Sequence, residues 1–310
     1  MKRFKNILFI NEPTVDQALA VSRVVSLAEN NQARLAIIDV IPPVADDYRA
    51  DVITHHMQSM ESLIEPYRDR MKIRFDVLVG TAFLEVIRAV LRNEHDLVIK
   101  VAENPDFLKK LFGSDDMHLL RKCPCPVWLM KPPEKPNYQC ILAAVDFDPL
   151  KPEASEQDLN MKILELASSL ALSDFASLHL VHAWEAFAEG TMRARGDGRD
   201  NGIAAYVENE RMLHQKGLYG LGETLRERIG NDTYNYLSPH FHLPKGAPRK
   251  MIAALAIQLQ ADLVVMGTVA RTGISGLIIG NTAEAILDQL SCSVLAVKPP
   301  GFTTPIKLVE

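Results

Sequence analysis

Pro126-Val127-Trp128-Leu129-Met130-Lys131-Pro132-Pro133 has a counterpart 167 residues further on, Ser293-Val294-Leu295-Ala296-Val297-Lys298-Pro299-Pro300. Both read as a short apolar strand that runs into Lys-Pro-Pro. Outward from this pair, His95-Asp96-Leu97-Val98-Ile99 matches Ala261-Asp262-Leu263-Val264-Val265 at a spacing of 166, and Gly80-Thr81-Ala82 matches Gly246-Ala247-Pro248 at the same spacing. Near the starts, Ile7-Leu8 matches Ile141-Leu142 at only 134. Self-similarity at one long period makes the chain two copies of one unit. The spacing grows by 32 before Gly246, so the second copy carries an insertion. We place most of it at about 186–235, where Arg193-Ala194-Arg195-Gly196-Asp197-Gly198-Arg199-Asp200-Asn201-Gly202 reads as a polar, Gly-rich excursion. Between the copies, Lys131-Pro132-Pro133-Glu134-Lys135-Pro136-Asn137 reads as a stiff, extended linker. The expected domains are 1–133 and 138–310.

Each copy alternates β-branched runs with helical patterns. Strands are expected at 6–10, 34–41, 73–79, 96–101 and 127–130, then at 140–145, 177–184, 240–243, 262–266 and 293–297. Apolar residues at helical spacing fall between them, as in Leu84, Ile87, Val90 and Leu91, or Ile252, Leu255, Ala256 and Leu259. Continuous apolar strands alternating with amphipathic helices imply a parallel sheet covered on both faces. The fold class is therefore α/β: two tandem, doubly wound, five-stranded parallel-sheet domains of Rossmann-like type. Such sheets bind ligands beyond the carboxyl ends of their strands.

Composition narrows the function. The 310 residues hold 34 Lys+Arg against 39 Asp+Glu, a net charge of −5. With no basic block, direct nucleic-acid binding is not expected. Cys123, Cys125, Cys140 and Cys292 are too few for a disulfide framework, which suggests a reducing, cytoplasmic setting. Met1-Lys2-Arg3-Phe4-Lys5 is followed by only four apolar residues, so no signal peptide is expected. No run approaches the ~20 apolar residues of a membrane span.

The second copy holds a stretch suited to a phosphate ligand, whereas the first reads as structural or as a site for a different ligand. After the strand at 262–266 comes Gly267-Thr268-Val269-Ala270-Arg271-Thr272-Gly273-Ile274-Ser275-Gly276-Leu277-Ile278-Ile279-Gly280-Asn281-Thr282-Ala283-Glu284. Four glycines precede a helix whose amino end suits phosphate. The stretch is neither a Walker loop nor a dinucleotide fingerprint. A purely structural use is equally open, with Asn281 and Glu284 as an N-cap pair and the glycines serving only the turn.

This segment resembles the signature of the universal stress protein family: Gly, two residues, Gly, nine residues, Gly, then Ser/Thr. Gly267 and Gly280 match the outer glycines, Ala270 replaces the second, and Asn281 stands where Ser/Thr is usual. The resemblance covers the whole chain as a tandem, two-domain member. It implies an adenine-nucleotide alpha hydrolase-like fold, induction under stress, and protection that extends to DNA damage. In ATP-binding members an acidic residue ending the first strand contacts the nucleotide, and Asp146 matches it. Adenine is held by backbone at the end of strand two, here around Ala183, with the phosphates on the glycine loop. The resemblance thus implies a site of Asp146, Ala183, Gly267, Thr268, Gly273, Gly280, Asn281 and Thr282. The cofactor is ATP or another adenine nucleotide in the second domain only, with no metal beyond nucleotide-associated magnesium. The methyl group of Ala270 opposes close approach of a phosphate.

The first copy has lost the turn. Val101 stands at the position of Gly267, and Glu103-Asn104-Pro105-Asp106 replaces the glycines. Gly113-Ser114 survives as a helix cap, and Glu12 aligns with Asp146. His240 and His242 share a strand face but lack further ligands, so polar contacts are expected rather than a metal site. His179 and His182 point to opposite faces, with His182 a candidate pocket wall, and His55-His56 read as solvated. Cys123-Pro-Cys125 is too tight for zinc and reads as a buried helix-to-strand turn. Trp128 and Trp184 are core or interface candidates. No catalytic set emerges. We expect a non-catalytic sensor or adaptor that takes a small-molecule ligand and protein partners. The alternatives are a module for an apolar or lipid-like ligand, its candidate lining Leu277, Ile278 and Ile279, and a weak ATPase. Family domains commonly pair through their last strands, so 127–130 and 294–297 are expected to pair as an internal pseudo-dimer, further oligomers being undetermined.

Overall fold

The computed structural model describes residues 3–102, 114–151, 153–195, 200–268 and 280–308. The first half runs β1 (Asn6–Ile10), α1 (Ala18–Asn31), β2 (Arg34–Ile41), α2 (Asp46–Ile64), β3 (Ile73–Val79), α3 (Ala82–Asn93), β4 (Leu97–Val101), α4 (Asp115–Lys122) and β5 (Val127–Met130). The second runs β6 (Cys140–Ala144), α5 (Ala154–Asp174), β7 (Ser177–Val181), α6 (Glu189–Arg195), α7 (Asp200–Ile229), α8 (Asn231–Leu237), β8 (His240–His242), α9 (Pro248–Gln258), β9 (Leu263–Gly267), α10 (Asn281–Leu287) and β10 (Ser293–Val297).

The strands form one ten-stranded sheet in the order β3-β2-β1-β4-β5-β10-β9-β6-β7-β8. Within each half all pairings are parallel. The halves meet through β5 and β10, which are antiparallel, with Val294 opposite Leu129, Leu295 opposite Trp128 and Ala296 opposite Val127. This is the expected pairing of last strands. Strands β1, β4, β5, β6 and β10 are buried at every residue, because helices cover both faces. Helix α5 shows the matching stripe, burying Met161, Leu164, Ser168 and Ala171 at helical spacing.

Two apolar clusters, one on each face of the sheet, each draw residues from both halves. Charges reinforce the seam. Arg23 of α1 pairs with Asp174 at 2.6 Å and Glu134 at 2.9 Å, and lies 4.0 Å from the Tyr138 ring centre. Burial pushes the Glu134 carboxyl up to about 7, against the pull of Arg23. Arg121 of α4 pairs with Glu284 of α10.

The insertion differs from the expected excursion. Its described residues fold as α6, α7 and α8, and α7 alone has 30 residues. Gly217 and Gly222 serve contact, while Gly230, at φ 87°, turns the chain between α7 and α8. A Cβ at Gly217 would lie 2.3 Å from the Phe147 ring, and one at Gly222 would lie 2.6 Å from Phe241. Helix-interior glycine costs about 0.5–1 kcal/mol each. Close approach of α7 to the domain offsets that cost, with Leu218 and Leu225 buried beneath it.

Candidate functional site

Strands β6 and β9 are neighbours, and from them the chain order runs outward in opposite directions. Beyond their carboxyl ends lies a cavity of about 350 Å³. Ala144, Val145 and Asp146 approach it from β6, Ala183 from beyond β7, and Met266 and Gly267 from β9. Gly280, Asn281 and Thr282 bring the start of α10. Leu159, Ile163, Ile252 and Ile286 supply apolar walls from three helices. Six of the expected site residues thus meet in one cavity: Asp146, Ala183, Gly267, Gly280, Asn281 and Thr282.

Thr268 does not line it. Its side chain is fully buried, and its hydroxyl accepts a hydrogen bond of 2.6 Å from Lys298 Nζ. Lys298 also donates to the Leu120 carbonyl, and burial pulls its ammonium down to about 7. The contribution of Thr268 is its carbonyl, which accepts from Gly280 N–H at 3.2 Å and holds the start of α10 near β9. Asn281 is the first residue of α10 rather than its cap; Gly280 holds the cap position with no side-chain bond, and Glu284 turns to Arg121. Gly273, Ala270 and Leu277–Ile279 lie outside the described residues, as do Gly113 and 103–106.

Gly267 is explained by packing. A Cβ there would come within 2.9 Å of the Leu159 side chain. Asp146 is exposed, but its backbone is clamped. Its N–H donates to Asn160 Oδ1 at 3.1 Å, and its carbonyl accepts from Asn160 Nδ2 at 2.8 Å. Asn160 is buried on α5, and nothing in the local sequence marks it out. The main chain of Ala183 lies between two bonded neighbours. His182 N–H donates to the His242 carbonyl and Trp184 N–H to the Pro244 carbonyl. Among the described residues, neither the N–H nor the carbonyl of Ala183 has a partner.

A second cavity of about 240 Å³ shares Asp146, Ala183 and Pro248 with the first. His182 stacks on Phe147 with ring centres 3.9 Å apart, and its Nε2 lies 2.8 Å from Nδ1 of His214 on α7. The long helix is thereby docked beside the site. Burial lowers the His214 pKa against the nearby Glu210, Asp148 and Asp146, so its imidazole is neutral near pH 7.

The first half closes the equivalent space. Lys100 lies on β4 opposite Ile10, as Met266 lies on β9 opposite Ala144. Its Nζ is 3.2 Å from Glu12 and 2.9 Å from Asp116, and Lys100 and Asp116 are both buried. Glu12 holds the place of Asp146, so an internal ion triad fills what is open space in the second half. Ser114 caps α4, accepting from Met117 N–H at 3.2 Å.

The other candidates resolve as contacts. His179 Nδ1 lies 2.9 Å from His242 Nε2, with His240 stacked beside them. No group of three or more His, Cys, Asp or Glu among the described residues is placed to hold a metal. Cys123 and Cys125 are buried at the α4–β5 turn with sulfurs 3.5 Å apart. His56 is not solvated as expected, since its Nδ1 meets Asp39 Oδ2 at 2.8 Å. Trp128 and Trp184 are both buried. Among the described residues no helix is long and apolar enough to cross a membrane.

Comparison with known proteins agrees with this architecture. Universal stress protein E of Escherichia coli K12 is 30% identical over 328 aligned residues, covering 99% of this chain and 98% of that protein. Its homologue in Haemophilus influenzae is 28% identical, covering 96% and 98%. The crystal structure of a functionally unknown protein from Pseudomonas aeruginosa PAO1 superposes with a TM-score of 0.67 at 27% identity, covering 96% of this chain and 94% of that one. A universal stress protein of Archaeoglobus fulgidus has the same fold, with a TM-score of 0.60 at 18% identity and coverage of 95% and 96%. Residues 3–131 and 137–298 each match the universal stress protein family, and the chain belongs to that family as a tandem pair of its domains.

Proposed function

We propose that this stress-response protein binds one adenine nucleotide per chain, in the second half, and acts as a sensor or adaptor without catalysis. The observation that carries the reading is the free main-chain edge of Ala183 in a cavity that also holds Asp146. A peptide N–H and carbonyl side by side match the donor and acceptor edge of adenine. In this reading Asp146, whose backbone Asn160 holds, takes the ribose hydroxyls, and the start of α10 gives amides to phosphate. The cavity is of ligand size. In this reading the nucleotide acts as a signal, with protection against DNA damage as its downstream effect. Equilibrium dialysis of the full chain against labelled ATP tests the reading. It should give one site, weakened in Asp146→Ala and Gly280→Val. Absence of binding at millimolar ATP would remove it.

A second reading follows from the walls. Leu159, Ile163, Ile252, Met266 and Ile286 would equally cover an apolar ligand. Native mass spectrometry of the purified protein separates the two, since a copurified apolar molecule favours this reading and an adenine nucleotide the first.

A further inference from the structure

A cavity of about 900 Å³ lies in the first half, along β2, β3 and the end of α3. It lies at the β2–β3 edge of the ten-stranded sheet, apart from the site described above. Arg34 opens β2 and Arg74 lies beside Ala36 in the β2–β3 ladder, while Lys72 precedes β3 and Arg92 ends α3. All four are exposed, and none of their side chains makes a hydrogen bond or ion pair with a described residue. That is unusual for this chain. Eleven other arginines, from Arg3 to Arg228, each sit within 4.0 Å of a carboxylate. The one acid at this cavity, Asp76, turns its carboxylate onto Val77 N–H at 2.9 Å.

Two further observations give the cavity a ligand-like character. His95 lines it, is only 7% exposed, and its Nδ1 has no hydrogen-bond partner. A buried, unpaired ring nitrogen is a cost unless something external meets it. Burial, with the charge of Arg34 adding to it, lowers the His95 pKa against the pull of Asn6 and Asp96. The floor, by contrast, is apolar. Ala36, Ile38, Leu78 and Ala89 form it on one face of β2, β3 and α3. The described residues of the second half differ at these positions: the ladder pair matching Ala36 and Arg74 is His179 and His240, and Ser177 opens β7 where Arg34 opens β2.

We infer that the first half carries its own ligand site, for an organic phosphate whose apolar body covers Ile38 and Leu78 while its phosphate meets Arg34, Arg74 and Arg92. An inorganic anion would leave the floor bare, and a neutral apolar molecule would leave the four cations unmatched. Arginine suits the role, because its fork donates two parallel bonds to a phosphate.

Isothermal titration of the full chain with decyl phosphate, below its micelle concentration, tests the inference. The expected result is saturable binding that falls at least about tenfold in the triple variant Arg34→Ser/Arg74→Ser/Arg92→Ser, and also in the single reversal Arg74→Glu. These side chains are exposed, and circular dichroism confirms that each variant is folded. Decanol and pyrophosphate should each bind at least about tenfold more weakly than decyl phosphate. Unchanged affinity in folded variants overturns the site. Equal binding of decanol overturns the role of the cations, and equal binding of pyrophosphate overturns the role of the floor.

Discussion

Trp128 of β5 and Leu295 of β10 stand directly opposite each other in the antiparallel ladder, and both are buried in one apolar cluster that runs through the two halves. The tandem domains therefore share a core as well as a chain. Urea unfolding should show one transition, with fluorescence and circular dichroism sharing one midpoint within each of Trp184→Phe, which reports Trp128, and Trp128→Phe, which reports Trp184. Two separated midpoints would show that the halves unfold independently. Trp128→Ala should lose about 3–5 kcal/mol in the same measurement.

Asn160 is the residue on which the geometry of Asp146 depends. Asn160→Leu strands the N–H and carbonyl of Asp146 without partners, at a cost of about 2–3 kcal/mol in denaturant titration. Affinity for ATP should fall as well. Asn160→Asp keeps the acceptor and loses the donor, so it should fall between the two.

Lys100 closes the first half. In Lys100→Met, Glu12 and Asp116 lose their shared cation. Removing one member of a buried ion cluster costs about 3–5 kcal/mol, which a denaturation midpoint would read. Adding Asp116→Ala and Glu12→Asp copies the second half and should recover much of that loss.

Histidines set the acid limit of stability. Burial, with His242 and His240 adding to it, lowers His179 to about 4, and burial lowers His242 and His214 as well. Each binds its proton more readily in the unfolded chain. Stability is then fully present above about pH 6.5 and falls as pH drops from there toward 4. Thermal melts at pH 7.5 and 5.0 should show the loss, and His179→Asn/His242→Asn should reduce it. An unchanged pH slope in that variant would exclude the cluster as its source.

The sequence by itself determined the repeat, the alternation of strand and helix, and the end of the sheet where the second-half cavity lies. These follow from local burial, which is written in apolar spacing and in the Lys-Pro-Pro and glycine marks. The pairing of β5 with β10 was legible through the family resemblance. Tertiary structure alone decided which polar groups meet. Asn160 is one polar residue on a helix until packing brings it to Asp146. Lys100, Glu12 and Asp116 lie far apart in sequence, and only the crossing of β1, β4 and α4 makes them a plug. Gly217 and Gly222 suggest a loop until Phe147 and Phe241 are seen against them. Thr268 lies in the glycine stretch, yet Lys298 draws its hydroxyl into the core. Periodicity records how deeply a residue is buried, while its partner is fixed by contacts across tens of residues that no local pattern contains.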